Sequence, residues 1–373
     1  MACFSVSPSL RSWVEIDTPA LRHNLGVVQS KIGPGPQILA VVKANAYGHG
    51  VGPVVRTLAG DATIFGVANL CEAREVAAVG SGRDVMLLSP CLPAERGEAV
   101  EAGFIVTVSS AAEAAEFAQR GAVRVNFKID TGMGRAGAWR DDALAELERI
   151  RVIRGVTVHS VSTHLPSSDE DADFTEWQLG EFERLTAGLN AICPDALVHS
   201  LNSAGILRFP GHAAGCVRAG LVLYGVSPVP EFQHELRNTL EWKTRVTLVK
   251  ELPSGAGVSY GRTFIAERPV RTALLAIGYA DGFPRQASGR GVSVLLNGTR
   301  CPLLGRVTMD QIVVDISAAG AVVPGDEAVV IGCQGAEEIT VNELAGAAGT
   351  IAWDIFTGIK SRVGRVYPVM EQS

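Results

Sequence analysis

A lysine stands directly after an apolar run near the amino end of the chain. Residues 38–42 read ILAVV, and they are followed by Lys43 and by a turn-forming stretch that ends in GHG at residues 48–50. The run predicts a buried strand that carries the lysine at its carboxyl end. In a low-dielectric pocket the pKa of a lysine ammonium falls, which frees the amine for Schiff-base chemistry. The alternative is a lysine that simply reaches solvent beyond a strand.

The elements that would position Lys43 follow a regular alternation. Apolar runs typical of strands begin near residues 38, 64, 85, 104, 123, 156, 197 and 216, and helical stretches separate most of them. Eight such strands alternating with helices predict an α/β fold, a parallel (β/α)8 barrel of the TIM type.

Active sites of such barrels lie where the strands end. The polar residues at the predicted strand ends are Lys43, Asn69, Ser89, Ser109, Asp130, Arg135, His164, Asn202, Ser203 and Arg218. A lysine, two arginines and a histidine at one rim indicate an active site rather than a purely structural barrel.

The pattern changes after Gly225. Short alternating segments between glycine and proline turns predict strands at residues 245–252, 271–277, 292–296, 311–316, 327–331 and 363–369, with a helix from Asn342. We therefore expect a barrel domain over residues 18–235 and a mostly-β C-terminal domain over residues 236–373. A short strand at residues 12–17 is expected to join the β domain.

Composition excludes several classes of function. A net charge of −6 argues against a general nucleic-acid binder, and no metal-ligand cluster stands out. The seven cysteines are odd in number and scattered, which is typical of reduced thiols. The N-terminus has no signal-peptide pattern, and no stretch is long enough to span a bilayer. We expect a cytoplasmic protein with no membrane partner.

Two motifs carry a family resemblance. The stretch KANAYGHG at residues 43–50 and the stretch KIDTGMGR at residues 128–135 resemble motifs of the alanine racemases, and further similar segments follow in order along nearly the whole chain. The resemblance implies a pyridoxal 5'-phosphate enzyme of fold type III. It implies that Lys43 holds the cofactor aldehyde, that Tyr47 contacts the cofactor phosphate, and that Arg135 binds the substrate carboxylate or the phenolic oxygen of the cofactor. Lys128 matches a lysine that many members carry as a carbamate.

Three further segments resemble cofactor-binding stretches of the family. His164 matches a histidine that packs against the pyridine ring, and Arg218 matches an arginine that faces the pyridine nitrogen. Phosphate contacts are implied for Asn202, Ser203, Gly220 and Leu221. An arginine only donates hydrogen bonds and leaves that nitrogen unprotonated, which weakens the electron sink and favours racemisation over transamination.

The resemblance also implies that two subunits share each active site. Tyr260 matches a base on the face opposite Lys43 that the other subunit supplies. Its phenol needs cationic neighbours to act near neutral pH, and we expect His164 and Arg218 to provide them. Met309 matches a residue beside the substrate carboxylate, while Tyr279 and, less closely, Asp169 match residues of the access channel. The implied assembly is a homodimer.

One position departs from the family pattern. Ser361 stands where some members have a channel tyrosine, and Gly364 replaces a usual proline. The expected function is interconversion of L-alanine and D-alanine, which supplies D-alanine for peptidoglycan, and the small Ser361 keeps open a broader or serine-preferring racemase. A non-catalytic carrier of the cofactor is a third possibility, which the β domain with Tyr260 and Met309 argues against. A decarboxylase would require an acidic partner for the pyridine nitrogen in place of Arg218.

We predict that serine is turned over measurably but more slowly than alanine, because Ser361 leaves room and polarity near the substrate side chain. Chiral analysis of serine incubated with a high enzyme concentration measures this. A complete lack of serine conversion under those conditions contradicts the prediction.

Overall fold

The computed structural model describes Ser7, residues 9–188 and residues 192–367. Residues 1–6, which include Cys3, and the end of the strand predicted at 363–369 lie outside the described residues. Two compact units divide the chain. The barrel unit contains Pro19–Ala46 and Gly50–Arg237, and the β unit contains the residues before Pro19, Tyr47–His49 and those from Asn238 onward. The β unit begins with strand β1, Ser12–Ile16.

The strands of the barrel unit form a parallel, nearly closed sheet. In sequence they are β2 Gln37–Val41, β3 Ile64–Val67, β4 Asp84–Leu87, β5 Ile105–Val108, β6 Val123–Asp130, β7 Ala138–Trp139, β8 Val156–Ser162, β9 Leu197–His199 and β10 Cys216–Ala219. The order is β10-β2-β3-β4-β5-β6-β8-β9, and β7 pairs with β6 outside this path. All eight predicted strand positions fall on the path, which confirms the predicted barrel.

Helices follow most of the strands of the barrel unit. They are α1 Thr18–Ile32, α2 Val51–Leu58, α3 Leu70–Ala78, α4 Arg96–Glu101, α5 Ala111–Ala118, α6 Ala143–Arg151, α7 Ala172–Ala187 and α8 Ser203–Arg208. Side-chain oxygens fix several starts, because Asn69, Ser110 and Asp171 each accept the backbone N–H three residues on. Asn69 was expected among the chemical residues of the rim, and the structure shows it as a helix cap.

Two contacts tie β10 and the segment after it to neighbouring strands, and the first of them joins the two ends of the barrel sheet. The backbone N–H of Arg218 in β10 donates to the carbonyl of Leu201, just beyond β9, at 2.9 Å. The phenol of Tyr224 donates to the carbonyl of Val41 at 2.9 Å. Both bonds lie near the carboxyl ends of the strands, so they fix the rim that carries the predicted site.

The barrel interior contains a satisfied polar layer. Asn126 donates to the hydroxyl of Thr107 and accepts from the hydroxyl of Ser160, each at 3.0 Å. These three side chains align because β5, β6 and β8 pair in register, with a bulge after Val125 that places Ser160 beside Asn126. The same register sets Lys128 beside Ser162 at the upper end. Inward-facing positions of β6 therefore lead from Asn126 to Lys128.

The β unit is built on a nine-stranded sheet. The remaining strands of the β unit are β11 Leu240–Leu252, β12 Gly257–Val258, β13 Phe264–Ile265, β14 Val270–Leu275, β15 Ser293–Leu296, β16 Thr299–Leu304, β17 Ile312–Asp315, β18 Glu327–Gln334, β19 Glu337–Ile339 and β20 Gly364–Val366. The helices of the β unit are α9 Val341–Ala348 and α10 Ala352–Gly358. The sheet order is β19-β18-β15-β16-β17-β14-β11-β1-β20. This confirms the predicted mostly-β architecture.

Some elements of the β unit differ from the prediction. Strand β11 begins five residues earlier than expected, and β1 pairs with it antiparallel. Strand β16 was missed because Pro302 lies within it, and proline normally weakens a strand pattern. Helix α10 was missed because it is short and rich in β-branched and aromatic residues. Among the described residues, no helix combines the length and apolar character needed to cross a bilayer.

Two loops of the β unit approach each other without room for a side chain. The backbone N–H of Tyr279 donates to the carbonyl of Thr308 at 3.1 Å, and the backbone N–H of Ala280 donates to the carbonyl of Met309 at 2.9 Å. A Cβ atom on Gly278 would collide with the carbonyl oxygens of Thr308 and Met309. A glycine is therefore required at the point where these loops meet.

We predict that Gly278→Ala lowers the free energy of unfolding by about 1–3 kcal/mol, because rigid backbone atoms must shift to admit the methyl group. Urea denaturation measures the change. The matched control is Gly346→Ala in α9, where no atom lies within 4 Å of the added carbon and where the same substitution raises stability by about 0.5–1 kcal/mol. Equal effects of the two substitutions contradict the prediction.

Candidate active site

A left-handed turn follows Lys43. The φ angles of Ala44, Asn45, Ala46 and Tyr47 are 52°, 54°, 52° and 51°. L-residues other than glycine pay about 1–2 kcal/mol each for this conformation, so the surrounding contacts must impose it. The sequence predicted a turn here but gave no sign of its hand.

Hydrogen bonds from outside and inside the turn hold it. The carboxylate of Glu72 accepts the backbone N–H of Ala44 at 2.8 Å and that of Ala68 at 2.7 Å. Asn45 accepts from Gly50 through its carbonyl and from Val51 through its side chain, both at 2.9 Å. The side chain of Lys43 therefore projects from a backbone whose following turn is held by hydrogen bonds at its start and at its end.

The amines of Lys43 and Lys128 are both shifted towards the neutral form. Partial burial, then the neighbouring Arg135, lower the pKa of Lys43, while Glu72 opposes the shift. Burial, then Arg218 and Arg135, lower the pKa of Lys128 to about 8. Lys43 is nevertheless exposed, which differs from the buried lysine that the sequence suggested. The rim thus offers an accessible amine among like charges, an arrangement suited to an anionic ligand.

Asp130 shapes the loop that carries Arg135. Its Oδ1 accepts the backbone N–H groups of Gly132, Met133 and Gly134 at 2.8–3.1 Å, and its Oδ2 accepts that of Arg135 at 3.0 Å. Burial alone would raise the pKa of Asp130, but these four backbone bonds outweigh it and leave the pKa below its usual value. The loop is therefore closed around a carboxylate that stays ionised.

Arg218 is a buried cation surrounded by acceptors. Its Nη1 donates to Nδ1 and the carbonyl of His199 at 2.8 and 2.9 Å. Its Nη2 donates to the carbonyls of Thr163 and Ser200 at 2.7 and 2.8 Å and lies 3.3 Å from Nδ1 of His164. Burial lowers its pKa to about 10, which keeps it protonated near neutral pH. The Nε–H takes no part in these bonds.

The two histidines beside Arg218 are neutral. Burial, followed by the charge of Arg218, holds the pKa of His164 and of His199 well below 6.5. His199 accepts through Nδ1, because an arginine has no acceptor, so its proton is on Nε2. The expectation that His164 supplies positive charge to Tyr260 is therefore wrong, since burial, followed by the charge of Arg218, holds the pKa of His164 well below 6.5.

Ser203 joins the start of α8 to the turn after β10. Its Oγ accepts the backbone N–H of Gly220 at 3.0 Å and that of Val222 at 3.3 Å, and Leu221 between them is buried. Since both lone pairs are used, the hydroxyl hydrogen is left to donate. The side chain of Asn202 makes three hydrogen bonds of its own.

The side chain of Asn202 accepts from the backbone of Gly205 at 3.0 Å and from Ser168 at 2.8 Å, and it donates to Leu165. The oxygen and one of the two amide N–H groups are thus used within the protein, which leaves one side-chain N–H and the backbone for a contact with an anion. Asp169, an expected channel residue, lies in the loop before α7, where its carbonyl accepts from the guanidinium of Arg208 at 3.0 Å.

The remaining predicted site residues belong to the β unit. Tyr47 is buried there, and burial raises its pKa to about 12. Tyr260 is 71% exposed, and the backbones of Ser259, Gly261 and Arg262 around it all have positive φ angles. Strained turns that present an exposed side chain are common at functional sites.

The loops that carry Tyr279, Met309 and Ser361 are linked by one guanidinium. Arg362 pairs with Asp281 and with Asp310, each at 2.9 Å. Tyr279 is 38% exposed and Met309 is 52% exposed, and Ser361 is also exposed. Two predicted channel residues, Tyr279 and Ser361, and the predicted substrate-binding residue Met309 therefore lie on linked, exposed loops of the β unit.

Four residues that support the site were missed in the sequence. Glu72 holds the turn after Lys43, His199 holds Arg218, and Gln178 and Thr131 hold loops of the rim. None of them lies within a recognisable motif of charge or spacing except Thr131. Within the described residues, no group of three or more histidine, cysteine or acidic side chains is arranged to bind a metal.

The comparisons with known proteins agree with this geometry. A family model described as "Alanine racemase, N-terminal domain" matches residues 16–228, and one described as "Alanine racemase, C-terminal domain" matches residues 239–367. The chain belongs to the alanine racemase family. The resemblance inferred from the motifs is thereby confirmed.

Related alanine racemases match over their full length. The protein of Methylacidiphilum infernorum is 38% identical over 366 residues, which cover 96% of this chain and 92% of that protein. The protein of Desulforamulus reducens is 39% identical over 370 residues, which cover 95% and 98%.

Solved alanine racemases have the same fold. The Streptomyces coelicolor enzyme superposes with a TM-score of 0.88 at 35% identity and covers 97% of this chain and 99% of its own. A Bacillus anthracis alanine racemase with bound L-Ala-P superposes with a TM-score of 0.89 at 33% identity, with coverage of 99% and 96%. Alanine racemases are isomerases that act on amino acids, and the family depends on pyridoxal phosphate; the expected enzyme class is confirmed.

We predict that the ring resonances of His164 and His199 stay constant between about pH 8 and pH 6, because burial and Arg218 keep both pKa values well below 6.5. Histidine-detected NMR measures this, and His164→Gln and His199→Gln assign the signals. A resonance that titrates with a midpoint at or above 6.5 contradicts the prediction.

Proposed function

We propose that this protein interconverts L-alanine and D-alanine with pyridoxal 5'-phosphate as its cofactor. The observation that carries the proposal is the exposed amine of Lys43, whose pKa is lowered beside Arg135 at a rim anchored by Arg218. A primary amine that is accessible and has a lowered pKa is suited to the attachment of an aldehyde.

The residues of the rim fit this cofactor. Lys43 would hold the aldehyde, and the hydroxyl of Ser203 with the backbone N–H groups near Gly220 and Leu221 would hold the phosphate. The Nε–H of Arg218 is the one donor of its guanidinium that is not already used, and it would face the pyridine nitrogen. Neutral His164 would lie against the ring, since a cation there would repel Arg218.

Bound pyridoxal phosphate supplies an electron sink that makes the α-hydrogen of an attached amino acid acidic. Arg218 moderates this sink because it cannot accept a hydrogen bond or give up its proton near neutral pH. The moderated sink favours return of a proton to the α-carbon over transamination.

Two bases of this chain would move the α-proton. We propose Lys43, whose Nζ is available once substrate has replaced it, on one face, and Tyr260 of the second protomer on the other. Two features support the second assignment: Tyr260 is 71% exposed, and it sits on a turn of strained residues. A phenol held for contact with a second chain would show both features.

The proposed assembly is a homodimer with shared active sites. Besides Tyr260, the exposed Met309 and Tyr279 would reach the site of the other protomer, where Met309 would lie with Arg135 beside the substrate carboxylate. Tyr279, Asp169 and Ser361 would line the access channel, and Tyr47 would contact the cofactor phosphate.

Lys128 is proposed to carry a carbamate. Its pKa of about 8 leaves a useful fraction of neutral amine, which can add carbon dioxide with release of one proton. The resulting anion would be stabilised by Arg135 and Arg218, the same charges that lower the pKa of the amine.

Supply of D-alanine for peptidoglycan is the proposed cellular role. The domain boundaries at residues 235 and 236 and the cytoplasmic location stay predictions.

A broader or serine-preferring racemase is the second candidate, favoured by the exposed and small Ser361. Ser361→Tyr is expected to reduce serine turnover more than alanine turnover if Ser361 makes that room. Tyr260 and Met309 on exposed loops argue against a non-catalytic carrier.

We predict that the purified protein with pyridoxal phosphate converts L-alanine in deuterated water to D-alanine that carries deuterium at the α-carbon, because racemisation breaks and remakes that bond. Chiral chromatography with mass spectrometry detects the product. A visible cofactor band without any exchange in alanine or serine would instead support the carrier.

We predict that Lys43→Ala removes both this activity and the absorption of the lysine-bound cofactor. Tyr260→Phe should keep the absorption but slow α-hydrogen exchange from one enantiomer of alanine more than from the other, since it removes one of two bases. Tyr279→Phe removes a phenol of the proposed access channel rather than a base, so any slowing it causes should be equal for the two enantiomers. Equal slowing for both enantiomers in Tyr260→Phe would overturn the one-sided role of Tyr260.

A further inference from the structure

Two threonine hydroxyls and one buried amide join the loops that carry Arg135 and His164. The Oγ1 atoms of Thr131 and Thr163 lie 2.7 Å apart, and Nε2 of Gln178 in α7 donates to Thr131 Oγ1 at 3.0 Å. All three side chains are buried. Thr131, Thr163 and Gln178 are named the rim clasp.

One side of the rim clasp reaches the backbone that supports Arg218. Nε2 of Gln178 also donates to the carbonyl of His164 at 3.3 Å, and the carbonyl of Thr163 accepts from Nη2 of Arg218 at 2.7 Å. The segment Thr163–His164 is therefore held by Gln178 from the helix side and by Arg218 from the barrel side.

The other side of the rim clasp reaches Arg135. Thr131 follows Asp130 directly, and Asp130 holds the backbone N–H groups of residues 132–135. A shift of Thr131 therefore displaces the loop that Asp130 closes. The supports of Arg135 and Arg218 thus meet at one pair of hydroxyls.

The amide of Gln178 carries an unpaired oxygen. Its Oε1 is buried and has no partner among the described residues, whereas both useful contacts are made by Nε2. Rotating the amide by half a turn would point the oxygen at the carbonyl of His164, which cannot donate, so the orientation is fixed. Methionine would fill the same volume without an unpaired acceptor. An amide at this position therefore points to a task for its N–H groups.

We propose that the rim clasp positions Arg135 and Arg218 relative to each other for the racemase reaction, and this inference rests on the proposed function. Its three members are positioning residues that act through the two arginines. Binding of a substrate carboxylate at Arg135 and control of the ring nitrogen at Arg218 then occur on one fixed frame, as efficient catalysis requires.

The first measurement is steady-state racemisation of alanine by the full-length enzyme loaded with pyridoxal phosphate. Gln178→Met and Thr131→Val are expected to lower kcat/KM by about tenfold, mostly in kcat, because misaligned charges lose more in the transition state than in the ground state. Thr175→Val is the matched control, since it removes a buried hydroxyl of α7 that bonds only to the carbonyl of Asp171 at 2.7 Å. The control should stay within about twofold of wild type.

The second measurement is hydrogen exchange of the amides of residues 132–135, followed by mass spectrometry. Exchange should be faster in Gln178→Met and Thr131→Val than in Thr175→Val, because a loosened clasp frees the loop around Asp130. Thr131→Ser should restore both slow exchange and turnover, although it loses a methyl group, because it keeps the hydroxyl.

A double substitution separates the clasp from general packing. Thr131→Val with Thr163→Val should cost no more activity than Thr131→Val alone, because Thr131→Val already removes the contact between the two hydroxyls as well as the acceptor of Gln178. Additive losses, or a Thr131→Ser enzyme as impaired as Thr131→Val, would overturn the clasp. So would exchange and turnover equal to the control. If wild type fails to racemise alanine, the proposed function fails, and the exchange measurement still decides on the clasp.

Discussion

The burial of one cation, Arg218, organises the rim of the barrel. A buried guanidinium is costly unless its N–H groups are bonded, and here both Nη atoms are saturated by acceptors at the ends of β8 and β9. The carbonyls of Thr163, His199 and Ser200 all accept from Arg218, so the ends of β8 and β9 are fixed relative to β10, which carries Arg218. The two arginine nitrogens thus set the frame on which the other groups of the site stand.

The same charge adds to the effect of burial on the protonation of its neighbours. Burial, followed by the charge of Arg218, keeps His164 and His199 neutral, and burial, followed by Arg218 and Arg135, lowers the pKa of Lys128. At this rim the histidines keep one protonation state near neutral pH, and the lysine amines are the groups that can gain or lose a proton. That division of roles matches an isomerase, which must return each proton that it removes and must avoid side reactions.

The strands of the barrel were predictable because their apolar runs repeat and because each ends in a polar residue. Lys43 and Arg135 were found through their motifs, which are local in sequence. His199 and Gln178 were not found, because a histidine or glutamine gains its meaning from partners far along the chain. Glu72 supports the turn after Lys43 from 28 residues away, and its role depends on the neighbouring strand β3. The neutral state of His164 likewise follows from burial, which sequence alone does not reveal.

The left-handed turn after Lys43 also constrains how the protein reaches its native state. Four consecutive residues without a glycine disfavour this conformation locally, so an isolated segment does not adopt it. The turn becomes stable only when Glu72 has docked on Ala44, which requires β2, β3 and α3 to be assembled. The backbone that presents Lys43 is therefore set by tertiary contacts, and it forms only once this part of the barrel has assembled.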